Sequence, residues 1–301
     1  MSQTQIQLET PQHWKAYQLL DSGGFEKLEK FGDYILRRPE PQAAWDKTLS
    51  DEAWTEKADA YFKKDKGSQD KGEWMIRKNM VDRWYMPYKT PALDLSFKLA
   101  LSSFKHVGIF PEQANNWDFI VEKIAKLKVQ GIQSPKILNL FAYTGGASLA
   151  AKYAGADITH VDSIKQVISW SRDNMEASKL DNIRWVVEDA MKFVKREAKR
   201  GNIYHGIILD PPAYGRGPDG ERWILEEQIN EMLKLVAEIL NKENYFLILN
   251  MYSMGFSSLI VENLVKCSFS QTQNHEFGEL YLEDSFKKKL PLGVFYRFSS
   301  C

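Results

Sequence analysis

From residue 112 onward, strand-like and helix-like segments alternate along the chain, and this alternation restricts the fold more than any other feature. Five short apolar runs are predicted to be buried strands: KILNLFA, ITHVD, IRWVVED, YHGIILD and YFLILNMYS. Segments with helical spacing separate them, among them GGASLAAKYAGA and ILEEQINEMLKLVAEIL. Strands that are buried on both faces and joined by helices form a parallel sheet covered by helices on both sides. The sequence therefore predicts a doubly wound α/β domain.

Two details of this domain are also predicted. The last two strand-like segments, SFSQTQNHEFGELYLED and LPLGVFYRFSS, follow each other without a helix, which indicates a terminal antiparallel pair. The helix SIKQVISWSRDNMEASK is predicted to begin with a serine cap at Ser163.

The first hundred residues follow a different pattern. The turn-forming stretches DSGG and FGD lie between short apolar segments and predict β-hairpins. Leucine and phenylalanine occupy every second position from Leu93 to Leu101, which places five apolar side chains on one face of a strand. The polar run 63–72 is predicted to be a mobile loop tip. We therefore expect a small β-rich domain over residues 1–105 and the α/β domain over residues 106–301.

Five of the nine tryptophans lie in this first part of the chain. They form either the core of the small domain or, near Arg37 and Arg38, exposed rings that stack on RNA bases.

Composition limits the class of protein. Forty basic and 40 acidic side chains give a formal net charge of zero, so the molecule as a whole does not attract nucleic acid or anionic lipid, although local patches can. Cys267 and Cys301 are the only cysteines, which excludes a disulfide framework and predicts no metal site. No signal peptide or membrane-spanning run is evident, and we expect a cytoplasmic protein without a membrane partner.

The ends of the predicted strands carry the functional signal, because ligands of such sheets bind beyond the carboxyl ends of the strands. The first strand ends in NLFAYTGGAS, where Gly145 and Gly146 let the backbone approach a ligand closely. Ala142 and Thr144 stand where a dinucleotide-binding G-x-G-x-x-G would need glycines. This departure disfavours a nicotinamide-dependent dehydrogenase.

The next two strands end in acids. Asp162 either accepts both hydroxyls of a ribose or caps the helix at Ser163. Asp189, followed by the small Ala190, either accepts from the exocyclic amine of a purine or places negative charge at a helix start.

The fourth strand ends in LDPPAYGRG, with an acid, two prolines and an aromatic ring in succession. Pro211 and Pro212 fix φ near about −65° and cannot donate backbone hydrogen bonds. We expect an extended loop whose carbonyl oxygens point into the pocket, where they and Asp210 accept from a planar amine. Tyr214 would stack on the ring that carries this amine.

Together these motifs resemble the class I S-adenosylmethionine-dependent methyltransferases over roughly residues 106–301. NLFAYTGGASLAAKYAGA, HVDSIKQVISWSRDNMEASKL and IILDPPAYGRG most resemble the bacterial branch that contains ribosomal RNA methyltransferases. The resemblance implies a Rossmann-like, seven-stranded doubly wound sheet with an antiparallel last strand. It also implies S-adenosylmethionine as the cofactor.

The resemblance further implies the roles of individual residues. The stretch HVGIFPEQ would be a strand-to-helix entry that closes over the cofactor with Phe110 and Gln113. The methionine end of the cofactor would contact Phe141, Tyr143, Thr144 and Gly145. Its ribose would lie against Asp162 and Ser163, and its adenine against Asp189 and Ala190. The methyl group would meet the substrate at Asp210, beside Pro211, Pro212 and Tyr214.

Cysteine usage restricts the acceptor atom. Methylation of cytosine carbon 5 needs an attacking thiolate, and neither LDPPAY nor LNMYSMGF contains a cysteine. The sequence therefore favours a nitrogen of a nucleobase as the acceptor. Candidate phosphate contacts are the basic runs 192–200 and 286–291, which are otherwise solvated faces, and Arg216 in a predicted mobile loop over 215–223.

The leading hypothesis is thus a methyltransferase that acts on a base nitrogen of RNA, with ribosomal RNA as the favoured substrate. The alternatives are a methyltransferase for a protein or small molecule, and a catalytically idle RNA-binding scaffold that keeps the cofactor fold. The oligomeric state stays open.

Overall fold

The computed structural model describes residues 5–65, 67, 71–252 and 255–301, which divide into two compact units. The first unit contains Gln113–Leu280, Gly293–Cys301 and the described residues before Thr10. The second contains Thr10–Glu112 and Tyr281–Leu292. Among the described residues, no helix combines the length and apolar composition needed to cross a membrane.

The strands, in chain order, are β1 (Gln7–Glu9), β2 (Tyr17–Gly23), β3 (Glu26–Phe31), β4 (Tyr34–Pro39), β5 (Ala60–Lys64), β6 (Gly72–Ile76), β7 (Arg83–Lys89), β8 (Asp94–Ala100), β9 (Lys136–Leu140), β10 (Asp157–Asp162), β11 (Arg184–Val187), β12 (Gly206–Leu209), β13 (Tyr214–Arg216), β14 (Arg222–Ile224), β15 (Phe246–Met251), β16 (Glu276–Glu283) and β17 (Lys289–Ser299). The helices are α1 (Asp51–Lys57), α2 (Ala114–Val129), α3 (Gly146–Tyr153), α4 (Lys165–Ala177), α5 (Ala190–Arg200), α6 (Leu225–Ile239) and α7 (Ser258–Ser268). A short 3-10 helix spans Pro111–Gln113.

The first unit is built on an eight-stranded sheet with the order β1-β16-β17-β15-β12-β9-β10-β11. The strands from β15 to β11 pair in parallel, and β17 pairs antiparallel with β15. The predicted Rossmann-like sheet with an antiparallel last strand is confirmed, and β1 adds an eighth strand beside β16. The strand order reverses at β9, which has β10 on one side and β12 on the other. That reversal is where sheets of this type bind ligands.

One predicted helix start is wrong. Helix α4 begins at Lys165 after Ile164, without a side-chain cap, and Ser163 does not cap it. The Asp162 carboxylate accepts the Ile164 N–H at 2.9 Å, a local turn that competes with helix formation. The acid at the strand end therefore delays the helix by two residues.

The second unit contains a five-stranded sheet, β2-β3-β4-β5-β6, and a two-stranded sheet, β7-β8. Both predicted hairpins form, with Gly24 between β2 and β3 and Gly32 between β3 and β4. Along β8 the apolar residues alternate as predicted, and Leu101 follows the strand, half-buried. In the predicted loop tip 63–72, residues 66 and 68–70 lie outside the described residues.

Two tryptophans of the second unit, Trp54 and Trp84, are buried in its core, and Trp14, Trp45 and Trp74 are half-buried. Trp54 is fully buried and donates its ring N–H to Asp21 at 2.8 Å. Arg37 covers this ring, whereas Arg38 is itself buried and paired with Glu29. The ring that Arg37 covers is thus buried, which disfavours RNA stacking at Trp54, and RNA contact of the half-buried tryptophans stays a prediction.

Candidate cofactor and acceptor site

The strand register brings side chains of four neighbouring strands to one level at the carboxyl edge of the sheet. Val161 and Leu209 both pair with Leu140, and Leu249 pairs with Leu209. The residue that follows each of these four is therefore level with the others: Phe141, Asp162, Asp210 and Asn250. Because adjacent strands are about 4.8 Å apart, the row spans about 15 Å across the reversal of strand order.

The loop between β9 and α3 has a strained backbone. Phe141 and Tyr143 adopt positive φ angles of 55° and 48°, and Gly145 has φ 92°. For residues with a side chain this conformation costs about 1–3 kcal/mol and persists only where surrounding contacts impose it. Gly146 is needed for a different reason, since a Cβ there would lie 2.6 Å from the Trp117 ring.

Three side chains impose this conformation. The Asp162 carboxylate accepts the Tyr143 N–H at 2.9 Å, and the Ser171 hydroxyl donates to the Tyr143 carbonyl at 2.7 Å. The Asn174 amide donates to the Thr144 carbonyl at 2.9 Å. Ser171 and Asn174 are fully buried on α4, so β10 and α4 together hold the glycine-rich loop. Sequence reasoning missed both residues, although two polar side chains three positions apart on the apolar face of a helix were a usable signal.

Beneath the loop lies a buried polar chain that joins β9, α3 and β10. The Asn139 amide donates to the Ser148 hydroxyl at 2.9 Å, and this hydroxyl lies 3.0 Å from Nδ1 of His160. Burial lowers the pKa of His160 to about 3, so the imidazole is neutral at physiological pH. The chain fixes the floor of the site without introducing charge.

Asp162 is partly buried, and its two oxygens differ in their partners. One accepts the N–H of Tyr143 and the other that of Ile164. Burial raises the pKa of Asp162 to about 6, an effect that backbone N–H groups, including that of Ser163, partly offset. A carboxylate has about four acceptor positions, so Asp162 retains capacity for a pair of ligand hydroxyls.

Asp189 caps a helix. Its Oδ1 accepts the Lys192 N–H at 2.9 Å at the start of α5, so the helix-start interpretation is confirmed. Asp189 and Ala190 are both buried, and they follow β11, whose last residue Val187 pairs with Asp162. Their contact with a purine stays a prediction.

Asp210 lies next to an asparagine that sequence reasoning missed. The Asn250 amide donates to Asp210 Oδ1 at 2.8 Å. Burial raises the pKa of Asp210 to about 6, and this hydrogen bond partly offsets the increase. Asn250 is 2% exposed in an otherwise apolar strand, and its Oδ1 is buried without a hydrogen-bond partner among the described residues.

The two prolines have different environments. Pro211 is buried and Pro212 is exposed. The Pro212 carbonyl accepts the ring N–H of Trp223 at 2.8 Å, so the expectation that the loop's carbonyls point into the pocket is wrong for Pro212. The Trp223 ring also packs against Phe141, with 4.8 Å between centroids. Trp223 thus connects the glycine-rich loop between β9 and α3 to the loop that follows β12 and contains Asp210, Pro211 and Pro212, which we call the acidic loop.

The predicted mobile loop over 215–223 is instead part of a hairpin formed by β13 and β14. Its base is fixed by Trp223, and its far end is fixed by ion pairs of Lys192 with Asp219 and Glu221. Tyr214 begins this hairpin and is half-exposed, and its hydroxyl accepts from Arg216 Nε at 3.1 Å. A flat ring beside a guanidinium is therefore accessible at the mouth of the acidic loop.

The predicted entry segment differs from expectation. Residues 106–110 form no strand, and the 3-10 helix leads directly into α2. Gln113 immediately precedes α2, and its Oε1 accepts from Asn116 Nδ2 at 2.8 Å. Phe110 belongs to the second unit, where its ring lies 5.1 Å from that of His106. Cofactor contacts of Gln113 and Phe110 stay predictions.

The two basic runs proposed as phosphate contacts are engaged in ion pairs. Lys195 pairs with Glu231 and Arg196 with Glu188 in the first run. In the second, Lys288 pairs with the buried Asp21 at 2.8 Å. The more buried pairs, those of Arg196 and Lys288, favour the structural interpretation of these two residues, and phosphate contacts of the other basic residues stay predictions.

Comparison with solved structures reveals a similarity over almost the whole chain. A crystal structure described as a SAM-dependent methyltransferase from Agrobacterium tumefaciens shares 34% sequence identity with a TM-score of 0.88, covering 98% of this chain and 93% of that one. A Streptococcus mutans structure described as a putative SAM-dependent methyltransferase shares 17% identity at a TM-score of 0.72, which supports the fold alone. No family model matches the chain.

Curated relatives match a part of the chain. Ribosomal RNA large subunit methyltransferase K/L of Shewanella frigidimarina is 27% identical over 165 residues, which is 54% of this chain and 22% of the relative. The protein of the same name from Pseudoalteromonas translucida is 35% identical over 121 residues, 39% of this chain and 16% of the relative. The matched regions thus span about a fifth of these relatives' length.

Proposed function

The chain belongs to the class I S-adenosylmethionine-dependent methyltransferases, and from this premise we propose that it methylates a base nitrogen of RNA, with ribosomal RNA as the first substrate to test. The observation that carries the proposal is the level row of Phe141, Asp162, Asp210 and Asn250 at the point where the strand order reverses. It supplies a carboxylate for a ribose on one side of β9 and a carboxylate for an acceptor on the other.

The residues on the cofactor side suit S-adenosylmethionine. Gly145 leaves the start of α3 without a side-chain cap, so N–H groups of the first helical turn are available to a carboxylate. Asp162 has acceptor capacity for two ribose hydroxyls. When bound, the cofactor supplies an electrophilic methyl group on a sulfonium, and the protein's task is to hold an acceptor in line with it.

On the acceptor side, Asp210 accepts an N–H of the substrate amine and thereby directs the nitrogen lone pair toward the methyl group. Alignment of this kind supplies a large part of the rate in a displacement that needs little acid–base chemistry. Asn250 and Trp223 hold the acidic loop through Asp210 and Pro212. Tyr214 provides a ring on which the base stacks.

Two observations support an RNA base nitrogen. The curated relatives are named as methyltransferases of large-subunit ribosomal RNA. An enzyme that acts on ribosomal RNA would be located in the cytoplasm. The ends of β12 and β15 carry Asp210 and Asn250, and the adjoining segments LDPPAY and LNMYSMGF contain no cysteine for attack on a pyrimidine ring.

The test uses cofactor labelled with tritium in the methyl group. Purified protein is incubated with ribosomes, total RNA, protein and low-mass extract from cells that lack the gene, and the labelled fraction is then mapped by mass spectrometry. We expect label in RNA, on a base nitrogen, and loss of label with Asp210→Asn. Label in protein or in the low-mass fraction would refute the RNA substrate, and binding of cofactor and RNA without any transfer would indicate an idle scaffold.

A further inference from the structure

The two-stranded sheet of the second unit presents a solvent-facing surface with an unusual pattern of side chains. Along β7 burial alternates strictly, so that Arg83, Tyr85, Pro87 and Lys89 all face solvent. Tyr85 is 58% exposed, among the most exposed aromatic rings of the described residues. Two residues of strand span about 7 Å, so a flat ring lies between two cations on a line of about 20 Å.

The facing strand continues this surface. Lys98 of β8 lies directly opposite Tyr85, and Ser96 lies opposite Pro87. The buried side of the same hairpin is apolar, with Trp84, Phe97 and Leu99 in the core. These buried residues anchor the hairpin from its apolar side.

At one end the surface reaches a cleft of about 410 Å³. Lys89 forms one wall, and His13, Trp14 and Lys15 form another. The ring N–H of Trp14 donates to the Pro111 carbonyl at 2.8 Å. The Trp14 ring also makes an edge contact with the Tyr88 ring, with 4.6 Å between the ring centroids. The cleft is within the size range of small-molecule sites and combines an aromatic ring with two lysines.

We propose that this face, formed by Arg83, Tyr85 and Lys89 with the cleft at Lys15, binds single-stranded RNA as a second contact surface. A stacking ring between cations is the arrangement by which proteins hold single strands without base-specific hydrogen bonds. Asp82 and Asp94 pair with Arg83 and Lys89, but both partners in each pair are more than half exposed. Such pairs are weak and give way to phosphates. An acidic peptide would satisfy the cations but offers no flat base to Tyr85.

The proposal rests on RNA being the substrate, and its test is separate from methyl transfer. Binding of a short, unstructured, fluorescein-labelled RNA is measured by anisotropy over a range of salt concentrations. Tyr85→Ala should weaken binding about 5- to 160-fold, as expected for loss of one stacked base at about 1–3 kcal/mol. Tyr85→Phe should bind as the wild type does. Arg83→Gln and Lys89→Gln should each reduce the slope of log affinity against log salt by about 0.7.

The matched control is Lys30→Gln, an exposed lysine on β3 of the same unit, which should leave the slope unchanged. Three results would each refute the proposed RNA-binding surface. They are unchanged affinity in Tyr85→Ala, the same slope of log affinity against log salt in all three charge variants, and no RNA binding by the wild type. Polyglutamate that competes as well as RNA would also overturn it. If RNA binds as expected but tritium is not transferred, the proposed reaction fails and this surface stands.

Discussion

Replacement of Asp210 by asparagine should stabilise the protein at neutral pH while abolishing its reaction. Burial raises the pKa of Asp210 from 3.8 to about 6, so keeping this carboxyl ionised in the folded state is unfavourable. Each unit of pKa difference between folded and unfolded states corresponds to about 1.4 kcal/mol, which sets an upper limit of about 3 kcal/mol. Asp210 keeps some contact with solvent, so we expect about 1–2 kcal/mol. The asparagine retains an oxygen that can accept from Asn250.

The pH dependence gives this prediction its sign. Below about pH 3 the carboxyl is protonated in both states and the substitution should change stability little. Between pH 4 and 6 the folded state binds the proton more tightly than the unfolded state, so the wild type loses stability as pH rises. Above about pH 7 the full difference is present. The gain from Asp210→Asn should therefore grow from pH 5 to pH 7 and then level off.

Urea denaturation at several pH values between 5 and 8 measures this gain. Asp157→Asn, at an exposed acid that begins β10, is the matched control and should show no such trend. Contributions from Asp162 are common to both proteins and cancel in the difference. A gain that does not vary with pH, or a loss of stability in Asp210→Asn at pH 8, would refute the account of this carboxyl as a buried, unfavourable charge.

Three further variants test the rest of the site. Burial raises the pKa of Asp162 to about 6, and the ionised form accepts the ribose hydroxyls, so the affinity of the wild type for S-adenosylmethionine should fall about tenfold per pH unit below 6. Calorimetry of Asp162→Asn should show weaker binding without this pH dependence. Ser171→Ala removes the donor to the Tyr143 carbonyl, so the free energy of unfolding should fall by about 1 kcal/mol and cofactor affinity should fall several-fold. Unchanged affinity would show that α4 does not help the glycine-rich loop to bind the cofactor. Trp223→Phe keeps a ring against Phe141 but removes the N–H that the Pro212 carbonyl accepts, so kcat should fall while cofactor affinity is retained. Equal losses in kcat and in affinity would contradict the proposal that this hydrogen bond acts on the acidic loop alone.

The parallel core could be predicted from the sequence because its signals are local. Runs such as GIIL, buried along their whole length in β12, leave no choice but an interior strand between helices. The acids at strand ends were found for the same reason, since topology fixes where the end of a parallel strand lies. The eighth strand could not be predicted, because β1 is three residues long and pairs with β16 more than 260 positions later.

The residues that sequence reasoning missed share one property: each acts on a backbone or carboxyl group far along the chain. Asn250 reaches Asp210 across 40 positions, and Asn174 reaches Thr144 across 30. A polar residue on an apolar face, such as Ser171 or Asn174 on α4, indicates that a buried hydrogen-bond partner exists, but the local sequence does not identify that partner. The site therefore combines two unfavourable features, a strained loop and a buried acid, each held by distant donors. Trp223 contacts both loops, through Phe141 on one side and the Pro212 carbonyl on the other, so the position of the loop after Asp210 depends on that of the glycine-rich loop.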